Sequence, residues 1–132
     1  MKTIFLAAIG TAVVLLGSPP AWAHHAMIAE FSTAKPITVS GTVTKVMWTN
    51  PHGLIFIDVT RDDGEIESWQ IETGSPFRMT RRGLKRTDFK PGVKIIVVGY
   101  AARSGEPKAA GMVVTFPDRE RTGREASFTL GR

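Results

Sequence analysis

The chain has no cysteine. Disulfides, a thiolate nucleophile, a lipid-bearing amino-terminal cysteine and thiolate metal sites are therefore excluded. The fold must hold by burial alone, and any metal must be met by histidine, carboxylate or the amino terminus. Long apolar runs are absent after residue 23. The one such run, Ile4 to Gly17, is about 14 residues, short of the roughly 20 that a membrane helix needs. A dense basic tract is also missing. The formal charge of +5 suits solubility and weak contact with anionic surfaces, not a dedicated nucleic-acid binder. No nucleophile elbow, phosphate loop or His-x-x-x-His helix occurs. The reading is of a protein that binds rather than catalyses, with no nucleic-acid partner.

What is present begins with a leader. Lys2 gives a positive start, Ile4 to Gly17 an apolar stretch, and Ala21-Trp22-Ala23 small residues at its first and third positions. That is the pattern of a secretory signal peptide cut after Ala23. Removing residues 1–23 from the 132 leaves 109, enough for one domain with one core. The loss of Lys2 takes the charge from +5 to +4. The mature chain is then expected outside the cytosol, without a membrane span, and starting at His24-His25.

Residues 24–36 read as a short arm. Ile37 to Trp48 is a long strand: Ile37, Val39, Gly41 and Val43 alternate with polar residues, then Val46 and Trp48 take over the apolar role. A period of two that changes phase predicts a half-buried strand with a bulge or sharp bend, and Gly41 suits strong coiling. Thr49-Asn50-Pro51-His52-Gly53 is a turn, Leu54 to Thr60 a second strand, Arg61-Asp62-Asp63-Gly64, with its Asp-Gly, a hairpin turn and Glu65 to Glu72 a third strand. Ser75-Pro76 opens a short helix that Gly83 ends, with Arg81 and Arg82 in its last turn. Val93 to Tyr100 and Ala109 to Phe116 are the last strands, and 118–132 reads as a loose tail. The expected fold class is all-β with one short helix: a five-stranded OB-like barrel over 37–117, its helix between the third and fourth strands.

A resemblance then becomes visible. It is carried by Phe31, Lys35-Pro36, Gly41-Thr42-Val43-Thr44, Trp48-Thr49-Asn50-Pro51-His52, Trp69, Gly74-Ser75-Pro76, Arg81-Arg82-Gly83, Pro91-Gly92 and Val98-Gly99-Tyr100. Together these resemble the DUF6152 family of exported bacterial proteins of unknown function, from His24-His25 to about Phe116. Trp-Thr-Asn-Pro-His is the most specific piece. The resemblance implies a Gram-negative envelope location, hence the periplasm, and transfers no activity. Leu84 departs from it, standing where an aromatic is expected after Gly83.

Three candidate sites follow. A terminal His24 would offer an α-amine and an imidazole in one chelate, with His25 or His52 adding a nitrogen; three nitrogen donors favour tetragonal Cu(II). Equally, His24-His25 reads as an exposed arm without metal. The loop with Trp48, Asn50 and His52 sits where OB-like folds often border a ligand, and it also reads as a turn with Trp48 packed at the barrel end. The basic stretch Arg78, Arg81, Arg82, Lys85, Arg86 and Lys90, offset by Asp88, reads as a solvated face or as an anion-recognising one. The expected function is a binding protein for a small ligand or an envelope partner. Its alternatives are a copper-binding protein built on His24 and a structural or interaction module of the envelope.

Overall fold

The computed structural model describes residues 28–132. The leader, His24 and His25 lie outside the described residues. The first strand, β1 (Phe31–Met47), is 17 residues long and serves two neighbours. Pro36 to Thr42 pair antiparallel with β4 (Lys94–Ala102), and Thr42 to Met47 pair antiparallel with β2 (Leu54–Thr60). One strand can edge both partners only by coiling sharply between them. Gly41 sits at that crossing: a Cβ there would lie 2.6 Å from the Asp58 carbonyl oxygen. The register slips between Val43 and Lys45, which accounts for the change of phase in the apolar pattern.

A tight turn from Arg61 to Glu65 joins β2 to β3 (Ile66–Glu72), with Gly64 at φ 84°. After β3 comes helix α1 (Pro76–Arg81), where Ser75 Oγ accepts from the Arg78 amide at 3.4 Å and Gly83 leaves at φ 88°. A 3-10 turn (Arg86–Phe89) leads to β4, and β5 (Lys108–Thr115) returns antiparallel to it. Parallel pairing of Gln70, Ile71 and Glu72 with Lys108, Ala109 and Ala110 closes the strands into a ring of order β1-β2-β3-β5-β4. The expected five strands, their closure and the helix between the third and fourth strands are all present.

The core is the inside of that ring. Val43, Ile55, Ile57, Ile71, Ile95, Val97 and Val114 point inward from the strands, while Met79, Leu84 and Phe89 close one end, all but fully buried. Leu84 is thus a core residue at the position where the resemblance suggested an aromatic. Trp48, Phe89, Phe116 and Phe128 form a row of rings with centroids 6.2, 5.5 and 6.0 Å apart. Among the described residues no helix is long and apolar enough to cross a membrane.

Two expectations are corrected. The strand starts at Phe31, not Ile37, because Phe31 pairs with Ala102 and is buried against it and Ala110. Residues 118–132 are not a loose tail. A short helix, α2 (Pro117–Glu120), leads through a turn to β6 (Ser127–Thr129), which adds a sixth strand beside β5. Phe128 and Leu130 are buried, the Leu130 amide donates to Met112 O at 2.8 Å, and Arg119 binds Asp88 at 2.5 Å across the fold. Two apolar residues two apart, among charges and glycine, give too short a pattern to announce a strand.

The last segment is held by backbone against backbone. The Gly74 amide donates to Leu130 O at 2.8 Å, and a Cβ on Gly74 would lie 2.2 Å from Gly131 O. Gly74→Ala is expected to cost about 1–3 kcal/mol in urea unfolding, as overpacking does. Hydrogen exchange is expected to speed up at Phe128 and Leu130 before it does in β2 or β4. Uniform loss of protection would contradict this account.

Candidate functional site

The hairpin register decides which side chains meet at the end of the ring that α1 caps. It places Leu54 opposite Glu72. Beyond that pair the ladder continues as Gly53 N to Gly74 O at 3.1 Å and Thr73 N to Gly53 O at 2.9 Å. His52 is therefore carried alongside Glu72, and its Nδ1 lies 2.8 Å from Glu72 Oε1. Arg132 reaches the same oxygen from the other side, donating from Nη2. One carboxylate oxygen thus joins the 48–53 loop to the end of the chain.

Arg132 is the unusual member. Its side chain is only 6% exposed. Its guanidinium carbon lies 5.6 Å from the centroid of Phe31, and its Nε is buried with no hydrogen-bond partner among the described residues. Burial pushes its pKa down from the ordinary arginine value; Glu72 and then Glu30 oppose that shift. Glu30 is itself bound to Lys108.

Arg132 also lines an open cleft of about 590 Å³, together with Ser75, Phe77, Arg78, Arg81, Arg82 and Gly131. Helix α1 positions most of these. Its buried side is Met79, and the residues around Met79 face outward over the cleft. Arg78 makes a long 3.5 Å bond from Nη1 to Gly131 O, and the Arg81 guanidinium carbon lies 5.7 Å from the Phe77 ring centroid. Phe77 is 67% exposed.

The sequence-derived candidates divide as follows. Arg81 and Arg82 line the cleft. His52 is joined to it through Glu72 and Arg132. Trp48 is half-buried against Phe89, and Asn50 is exposed beside a cis Asn50-Pro51 bond. His24 and His25 lie outside the described residues, among which no group of three His, Asp or Glu could hold a metal ion. Glu72 and Arg132 were missed. For Glu72 a signal existed: a turn over Asp62-Asp63-Gly64, centred on Asp63, pairs 54 with 72, and this brings His52 to that carboxylate. For Arg132 there was none, since its place depends on β6.

With Nδ1 2.8 Å from Glu72, a neutral His52 would donate its Nδ1–H there and keep Nε2 as an acceptor or metal ligand. In nitrogen NMR, His52 is expected as the Nδ1–H tautomer, and Glu72→Ala is expected to shift it toward Nε2–H. The same substitution strands the Arg132 charge. It is expected to lower stability by about 3 kcal/mol, the low end for breaking a buried pair. His52→Ala is expected to cost under about 1 kcal/mol, as at exposed ion pairs.

The DUF6152 family model, described as a family of unknown function, matches residues 12–112. That span holds His52, Glu72 and the arginines of α1 and stops before β6 and Arg132. No curated protein matches the chain. A match over more than half of the sequence assigns the family: the chain belongs to DUF6152.

Proposed function

We propose that this is a periplasmic protein that binds a small ligand and catalyses nothing. The observation that carries this is convergence. Helix α1 and the segment after β6 line one open cleft, and through Arg132 and Glu72 the 48–53 loop and the end of β3 are tied to its wall, on a scaffold closed into a ring. Polar groups on short, backbone-pinned segments around a cavity of this size fit a small-molecule site. The leader pattern supports export. The Arg side chains lie around a cleft and not along a groove, which favours a compact ligand over nucleic acid.

The test uses protein exported with its own leader. Small molecules below about 1 kDa from the periplasm, the lower part of the size range such cavities hold, are added to isotopically labelled protein. Amide shifts are expected at 52–53, 73–82 and 130–132, with the outer face of β4 unmoved. Shifts that spread over β4, or none at all, would overturn the reading.

A second reading is favoured by one contact. A carboxylate behind a histidine, as Glu72 stands behind His52, is the usual support of a metal-binding imidazole. The remaining donors would be the amine and ring of His24, with His25, binding copper. Mass spectrometry should find His24 as the first residue of the exported protein. Cu(II) should then bind one to one, at least tenfold more weakly in His24→Ala and in His52→Ala. An amino terminus elsewhere, or unchanged affinity in both variants, defeats it.

A further inference from the structure

We infer that the cleft beside α1 binds a phosphate group carried on an apolar body, with Arg132 at its inner wall and Phe77 against the body. This rests on the small-ligand reading and names the ligand's chemistry. Four guanidinium groups line the cleft: Arg78, Arg81, Arg82 and Arg132. Glu72 is the side-chain carboxylate bound to one of them, and the other acid near Arg132, Glu30, is held by Lys108. Three positive charges are left without an acidic side chain among their ion-pair partners in the described residues. A carboxylate would offset one of them. A phosphate monoester carries roughly −1.5 to −2 near neutral pH and offers three acceptor oxygens.

The second observation is inside the protein. Arg132 is nearly buried, it spends Nη2 on Glu72, and its buried Nε has no partner among the described residues. Arg132 lines the cleft, so an anion there would meet its guanidinium and offset a nearly buried charge whose one acidic partner among the described residues is Glu72. Among the described residues the Arg78 guanidinium has only a 3.5 Å bond to Gly131 O, so it can be redirected at little cost. The guanidinium fork matches phosphate in two bonds, which an ammonium does not.

The third observation is Phe77. It is 67% exposed at the rim, with Arg81 against its ring. An inorganic ion would leave that ring in water. A phosphate on an aryl or acyl body would cover it, and the cleft, at about 590 Å³, has room for both parts.

Calorimetry with phenyl phosphate tests this on the exported chain. Saturable one-to-one binding is expected, at least tenfold tighter than inorganic phosphate. Arg81→Ala and Arg78→Ala should each weaken it fivefold or more, and Phe77→Ala should remove the preference over inorganic phosphate. Arg132→Lys keeps the charge and loses the fork, so it should weaken binding about tenfold; should it fail to fold, the exposed Arg81 and Phe77 variants decide alone. Vesicles of phosphatidic acid in phosphatidylcholine separate the two sources. Sedimentation with them that phenyl phosphate competes away assigns a lipid headgroup, and no sedimentation assigns a free phosphate. Absence of saturable binding to all three probes overturns the inference, as does binding that Arg81→Ala leaves unchanged. If periplasmic small molecules still shift the cleft amides while phenyl phosphate does not, the ligand-binding reading stands and the phosphate assignment falls.

Discussion

Closure of the ring rests on three parallel pairs, Gln70, Ile71 and Glu72 against Lys108, Ala109 and Ala110. Without them β3 would be an edge, with its donors and acceptors open to water. So short a pairing holds because small residues let the layers meet. Ala109 and Ala110 are fully buried, and a Cβ on Gly111 would lie 2.6 Å from both Ile71 Cγ2 and Leu130 Cδ1. The missing side chain is the space in which β3 and the last segment touch. Because the pairing ends at Glu72, the same contact that shuts the core also fixes the carboxylate on which His52 and Arg132 converge.

Local signals carried most of the strand order. Alternation marked β1, and its change of phase marked the register slip between Val43 and Lys45. Asp63-Gly64 marked the hairpin, and Ser75-Pro76 with Gly83 marked α1 and its limits. These succeed because turn and cap chemistry acts over a few residues. The failures have the opposite character. Phe31 belongs to a strand because of Ala102, far along the chain, and β6 exists because Leu130 finds the cleared space beside Gly111 and Phe128 packs on Phe116. Neither partner is visible from its neighbours in sequence.

The cleft was half legible for the same reason. Arg81 and Arg82 stood out as a basic cluster on a short helix, and His52 as part of an unusual turn. Nothing local joins the two. Glu72 and Arg132 join them, one by strand register and the other through a sixth strand. Arg119 makes the contrast plain. It too crosses the fold to an acid, Asp88, and packs 4.2 Å from the Phe116 centroid, but it lines no part of the cleft. Arg132 packs on Phe31 and still has a donor to spare.

The row of rings from Trp48 to Phe128 has a mechanical consequence. Close-packed aromatics do not compress, so a displacement at one end must be passed on or resisted by the rest. One end of the row sits at the start of the 48–53 loop and the other in β6, two residues before the backbone that touches Gly74. The loop and the closing segment, remote in sequence, are therefore the two ends of one stiff rod, and any occupant of the cleft that shifts either end bears on an indole whose emission can be watched.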